Sequence, residues 1–316
     1  MDVVSDAISA VHLGHPWSHR VRTSGSWCAR LEPYTGAGFY VVLKGTCWLL
    51  TDGGTLVPLG VGDAVLLPHG AGHVIADSPV DAATAEQKAV PFERWLLDTG
   101  PRDRSRAGSG PDETEMLCGK YWFDCSRMHP FMTELPEVVH LPSRVGSHLE
   151  LRAAIDLLAG ELDELRPGSC VALPNLLDLL LVYMIRSWMT ETTTGAWPGA
   201  LGDPVTSAAL RAMHSSPAAP WSNDRLAAEA GVSRPTLARR FTTLVGRPPM
   251  AYLTWWRLVL AATMLRDTPE TLATIAGRVG YGSPYALSHA FEREFGLTPG
   301  RYRVQAAERD DPPQQG

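Results

Sequence analysis

Leu226-Ala-Ala-Glu-Ala-Gly-Val-Ser233-Arg-Pro-Thr-Leu237-Ala-Arg-Arg240-Phe241 and Leu272-Ala-Thr-Ile275-Ala-Gly-Arg-Val-Gly280-Tyr-Gly-Ser283-Pro-Tyr-Ala-Leu287-Ser-His-Ala-Phe291 are two copies of one device: a short helix, a turn and a second helix. In the first copy Ser222 or Asn223 caps a helix over Asp224 to Ala230. Gly231 follows, where a left-handed backbone is needed and glycine alone is unstrained. Val232 is expected to bury in the turn, Ser233 to cap, and Pro235 to sit in the first helical turn, where its missing N–H is no loss. That helix runs to Val245, before Gly246. In the second copy Thr271 caps, Gly280 to Ser283 is the turn, and Pro284 to Phe295 is the second helix, closed by Gly296 and a last turn through Tyr302.

Pro248-Pro249 opens a long helix to about Arg266 that carries Tyr252, Trp255 and Trp256 and separates the two devices. Its roughly 18 residues span about 27 Å at ~1.5 Å per residue. B-DNA repeats every ~34 Å, so the two second helices could enter successive major-groove faces on one side of a duplex. Charge favours the same reading. Residues 205–305 carry 12 arginines, no lysine and 6 carboxylates, a balance of +6, whereas residues 1–204 stand at −10 within a whole-chain charge of −6. Phosphate neutralisation with counterion release supplies most non-specific DNA affinity, and only the C-terminal part has the charge for it.

The pattern Ile275-Ala-x-x-Val279-Gly280-Tyr281-x-Ser283-x-x-x-Leu287-Ser288-x-Ala290-Phe291-x-x-x-Phe295-Gly296-x-x-Pro299-x-x-Tyr302-Arg303 resembles the AraC-family DNA-binding domain over about 100 residues. The resemblance implies base reading from the exposed face of each second helix. Matched residue by residue, it points to Arg234, Pro235, Ala238 and Arg239 in the first and to Pro284, Tyr285, Ser288 and His289 in the second. Arg239 can fork onto guanine O6 and N7, a contact worth ~1–3 kcal/mol of discrimination. His289 stands where the family often has arginine, and with Pro284, Tyr285 and Ala238 it suggests apolar or shape readout. Arg240 is left to a phosphate or an internal partner; Arg278, Arg301 and Arg303 are phosphate candidates or solvated surface.

Upstream, short strand-like runs punctuated by glycine extend from Val21 to Pro91, with a hairpin signal at Asp52-Gly53-Gly54. They imply an antiparallel sandwich or small barrel. Gly62-Asp63-Ala-Val-Leu-Leu-Pro68 with a histidine five residues on, then Leu117-Cys118-Gly119-Lys-Tyr121-Trp-Phe123 and His129-Pro130-Phe-Met-Thr-Glu-Leu135-Pro136, resemble the cupin-type sensor domain of a branch of AraC-family regulators over residues 10–145. Residues 98–115 are nearly free of apolar side chains and read as a mobile loop between strands, or alternatively as a domain boundary. From His148 to Thr190 the period turns helical: Leu149, Leu151, Ile155, Leu158, Leu162 and Leu165, a break at Pro167-Gly168, then a helix opened by Pro174 and apolar on nearly all faces. Its cover is either the barrel with the preceding helix or the same helix of a second subunit. Residues 190–204 read as a linker.

The expected architecture is therefore an α+β multidomain chain: a cupin-like antiparallel β-barrel over 1–146, a helical connector and dimerisation segment over 147–203, an all-α domain with two helix-turn-helix units over 204–305, and a disordered tail over 306–316. Length and composition, 316 residues with 45% apolar and 20% charged, suit a soluble two-domain protein. Residues 1–15 lack the basic cluster and apolar run of a secretory signal. The longest apolar run, Leu176 to Met189, is interrupted by Asp178 and Arg186 and falls short of the ~20 residues of a membrane span. A cytoplasmic protein with reduced cysteines is implied, since the five (Cys28, Cys47, Cys118, Cys125, Cys170) follow no framework spacing.

His69, His73, Cys118 and His129 are residue types that bind zinc or another divalent metal. The histidine pair and glutamate of a catalytic cupin are missing from Phe39-Tyr40-Val-Val-Leu-Lys44-Gly45, which argues against an oxygenase-type site. A metal or thiol site on His73 and Cys118, an organic ligand in the barrel, and a purely structural barrel stay open. A redox role for Cys118 would need an exposed, low-pKa thiolate. Function divides between a transcription regulator bound to double-stranded DNA, acting with RNA polymerase as a homodimer under a small-molecule, metal or redox effector, and a cupin-type metal-dependent enzyme with a helical appendage.

Overall fold

The glycine-punctuated runs of the first half form strands because each alternates, or stays apolar, between residues that turn the chain. The computed structural model describes residues 3–99, 113–123, 128–164, 166–192 and 196–309. Much of the polar insertion (100–112), Cys125, part of the linker (193–195) and the end of the tail (310–316) lie outside them. The chain opens with α1 (Val3–Val11), β1 (His12–Ser24), β2 (Cys28–Leu31), β3 (Gly36–Lys44), β4 (Cys47–Thr51), β5 (Leu56–Leu59), β6 (Ala64–Leu67) and β7 (His73–Ala76). Helix α2 (Ala82–Lys88), the short β8 (Val90–Pro91), α3 (Phe92–Thr99), β9 (Glu113–Phe123), α4 (Pro130–Thr133) and β10 (Val139–Leu141) follow.

These strands make two five-stranded sheets, ordered β1-β9-β3-β6-β10 and β5-β4-β7-β2-β8, rather than one closed barrel. All the pairings between β2 and β7, β3 and β6, β3 and β9, β4 and β5, β4 and β7, and β6 and β10 are antiparallel, while the short β8 runs parallel to β2. One core spans both sheets: Tyr40, Val42, Val65, Leu67, Met116 and Cys118 from the first meet Ala29, Leu31, Leu49, Leu59 and Ile75 from the second. Helices α2 and α3 are departures from the strand-only reading. Asp81 caps α2 by accepting from the Thr84 N–H, and α3 buries Phe92 and Trp95, with Trp95 stacked 5.0 Å from Trp27.

The helical period after His148 becomes α5 (Leu149–Asp163) and α6 (Ser169–Glu191). The latter starts five residues before Pro174, whose place early in the helix limits the loss of backbone bonds. With 23 residues and a mean hydropathy of 1.5 in its apolar window, α6 has the length and composition to cross a membrane, contrary to the 14-residue count, yet a third of that window is buried in the protein. Leu177, Leu180, Leu181, Met184 and Ile185 form its buried side, and Tyr121 on β9 donates to the Leu177 carbonyl at 2.7 Å. Arg20 and Arg22 of β1 share Glu115 at 2.7 Å each and reach Asp163, tying α5 to the sheet.

The remaining helices are α7 (Ala196–Gly202), α8 (Pro204–Ser215), α9 (Asn223–Glu229), α10 (Arg234–Val245), α11 (Pro249–Asp267), α12 (Leu272–Val279), α13 (Pro284–Phe295) and α14 (Pro299–Arg309). Two expectations change. The linker contains α7, because Trp197 is fully buried and gives that segment an apolar anchor. The chain also stays helical to Arg309, where a turn ending near Tyr302 and a tail from 306 were expected.

The chain divides into two compact units whose borders differ from 146 and 203. The β unit is Gly14–Asp124 with Leu135–Glu191, and so contains α5 and α6. The helical unit is discontinuous in sequence: Met1–Leu13, Cys125–Glu134 and Thr192–Gly316.

Candidate nucleic-acid interface

Helices α10 and α13 are built alike. Ser233 accepts from the Thr236 N–H and Ser283 from the Ala286 N–H, proline occupies the first turn of each, and Gly246 and Gly296 close them in the left-handed region at φ 76° and 71°. Each buries one face, Leu237, Phe241 and Val245 in α10 and Leu287 and Phe291 in α13. The opposite faces carry the expected reading residues. Arg234, Pro235 and Arg239 are exposed with Ala238 half-buried; Tyr285 and His289 are exposed with Pro284 and Ser288 half-buried. Tyr285 is 86% exposed on the outer face of α13.

Of the arginines with two readings, three have internal partners. Arg240 meets Asp203 at 3.1 Å, and Asp203 also caps α8 through Thr206, so the pair fixes α10 against the start of α8. Arg278 pairs with Glu270 at 2.9 Å. Arg303 donates to the backbone carbonyls of Leu265 and Glu270, closing α14 on the end of α11. Arg301 is exposed.

The 19 residues of α11 make a rod of about 28 Å. A second link, which the sequence does not reveal, joins the two devices. Arg257 on α11 donates to the carbonyls of Pro217 and Ala219, both at 2.8 Å, holding the loop between α8 and α9. Gly280, at φ 83° in the turn of the second device, faces the same loop, and a Cβ there would lie 2.8 Å from Ala218 Cα. Burial lowers the Arg257 pKa from its ordinary value, as befits a guanidinium spent on carbonyls.

The four sensor candidates have different surroundings. His69 lies on a backbone carbonyl, Nε2 to Leu135 O at 2.7 Å. His73 has both nitrogens engaged: Nδ1 donates to the Ala71 carbonyl at 2.9 Å, so Nε2 accepts from Tyr40 Oη at 2.7 Å. That bond joins β3 in one sheet to β7 in the other, and burial drags the ring down to about 4. Cys118 is 1% exposed and burial pushes its thiol up to about 12, the reverse of a redox-active thiolate. His129 belongs to the other unit, walled in by Trp197 at 4.9 Å and Trp255 at 5.3 Å. Among the described residues no three His, Cys, Asp or Glu side chains gather into a metal-holding group. His69 and His73 are thus held by hydrogen bonds to neighbouring groups, and Cys118 and His129 are buried.

Two capped reader helices, on one arginine-rich unit and joined by a rigid rod, define a double helix-turn-helix DNA-binding regulator. A family model described as a helix-turn-helix domain matches residues 226–305, and one described as cupin matches residues 2–190. The chain is 33% identical over 307 residues to an AraC-like transcription regulator of Streptomyces lividans, covering 96% of this chain and 98% of that protein. It is 27% identical over 312 residues to the HTH-type transcriptional regulator AlkR of Acinetobacter baylyi, covering 97% and 100%. The crystal structure of the DNA-binding domain of AdpA in complex with a target DNA aligns at 32% identity and a TM-score of 0.33, over 35% of this chain and 100% of that one. The chain belongs to the AraC-type transcription regulators that carry a cupin domain ahead of the reader.

Proposed function

We propose that α10 and α13 enter successive major-groove faces of one duplex, and that Arg234, Pro235, Ala238 and Arg239 read the first half-site while Pro284, Tyr285, Ser288 and His289 read the second. The observation that carries this is the matched pair of capped helices, each presenting these side chains away from its buried face. Arg239 makes the guanine contact; the second reader relies on the apolar Tyr285 and on groove shape. The protein acts in the cytoplasm as a homodimer through α6, beside RNA polymerase, and the β unit adjusts its activity without catalysing a reaction. Leu179 and Val171 on α6, with Leu149 and Leu157 on α5, are exposed apolar residues that support a paired surface.

The test uses the full chain on duplexes selected from a random pool. Arg239→Ala should weaken binding to the selected site by roughly 5- to 150-fold, the equivalent of ~1–3 kcal/mol, and leave random duplex nearly unaffected. Equal losses on both would remove Arg239 from base reading.

A further inference from the structure

Four buried polar side chains inside the helical unit come from sequence-distant segments. Asp6 of α1 is 2% exposed, His214 at the end of α8 is 4%, and Tyr252 of α11 and His129 before α4 are 0%. They form one chain of contacts: Asp6 Oδ2 to His214 Nδ1 at 2.7 Å, His214 Nε2 to Tyr252 Oη at 2.8 Å, and Tyr252 Oη to His129 Nε2 at 2.9 Å. The far end is pinned, because the Phe131 N–H donates to His129 Nδ1 at 3.1 Å. One proton order then satisfies every link. His129 Nδ1 is an acceptor, so its Nε2–H donates to Tyr252; the tyrosine hydroxyl donates to His214 Nε2; His214 Nδ1–H donates to the Asp6 carboxylate. Burial holds His129 well below the usual imidazole range, with nearby His214 adding to the fall, which agrees with a neutral ring.

Tyr252 is the centre of this chain and also touches a reader. Its ring meets Phe241 on the buried face of α10 edge-on at 5.6 Å, while His214 stacks on Trp256 of α11 at 4.4 Å. Burying four polar groups costs desolvation, and apolar residues of like volume would give more stability. What such a chain offers in exchange is a single allowed seat, since its bonds form in one register only. We infer that Asp6 and His129 are positioning residues of the DNA-reading unit, acting through His214 and Tyr252 to fix α11 and thereby the spacing of its two readers. The inference rests on the double-reader proposal above.

The experiment measures full-chain binding to a duplex with both half-sites at the spacing the wild type selects, to one with a scrambled second half-site, and to spacers longer or shorter by one base pair. Tyr252→Phe, His129→Leu and Asp6→Leu should cut the two-site over one-site preference about tenfold and accept altered spacers. Asp6→Asn, which still offers an oxygen to His214, should stay within about twofold of wild type. A purely structural role would lower the active fraction equally on all duplexes, and an unchanged preference in folded Tyr252→Phe would overturn the inference. Should the variants fail to fold, nitrogen NMR of wild-type histidines decides: His129 as the Nε2–H tautomer with His214 as Nδ1–H supports the wiring, and either opposite tautomer overturns it. Wild type binding no duplex at low salt would overturn the double-reader proposal itself, an outcome distinct from wild type binding and the variants matching it.

Discussion

Tyr40 and His73 link the two sheets with a single hydrogen bond in the middle of an apolar core, and their energetics are testable. Tyr40→Phe leaves His73 Nε2 without its donor and should cost about 1–3 kcal/mol in urea unfolding. The buried ring titrates near 4 when folded against 6.5 when free. Between those values the unfolded chain holds more protons, so stability from the neutral ring is full above pH 6.5 and drains as pH falls toward 4, by on the order of 3 kcal/mol. The stability gap between wild type and His73→Asn should therefore narrow on acidification; a gap independent of pH would contradict the assignment. Cys118 obeys the same burial logic with opposite sign. Its thiol stays protonated, so alkylation of the native protein should modify the exposed Cys170 well before Cys118.

Helices α9 to α13 were legible in the sequence almost residue by residue because their signals are local. A serine or threonine cap, a proline in the first turn and a glycine past the end each act within one turn. Helix α7 and the placement of α1 were not legible, since they exist through distant partners: Trp197 packs against His129 and Phe131, and Asp6 reaches His214. The surroundings of His69, His73, Cys118 and His129 were not legible for a related reason. Residue type suggests ligands, but the neighbours that occupy a ring nitrogen or bury a thiol are set by topology. Gly280 belongs to both categories, readable as a turn glycine and unreadable as the contact with Ala218. Gly280→Ala adds a strained left-handed residue and a backbone clash, and should lower the melting temperature with a loss of about 2 kcal/mol or more. Arg257→Met, which frees the Pro217–Ala219 loop, should relax spacer choice in duplex selection while leaving the preferred bases of each half-site in place.

Across the whole molecule, charge and assembly set the behaviour. Twelve arginines gathered in residues 205–305 should make binding steeply salt-dependent, log affinity falling by about 0.9 per phosphate neutralised for each decade of salt. Leu179→Glu on α6 should lower the sedimenting mass from dimer to monomer if that helix pairs subunits; an unchanged mass would remove α6 from the interface. The helical unit, discontinuous in sequence, also carries an optical property. Three indoles, Trp197, Trp255 and Trp256, stand 4.9, 5.3 and 6.1 Å from the imidazole of His129. Indole emission responds to nearby polar rings and to water, so withdrawal of residues 128–134 would redden and change the intensity of the protein's own fluorescence. The unit thus contains an unlabelled gauge of whether its inserted segment is seated, readable in real time while duplex is added.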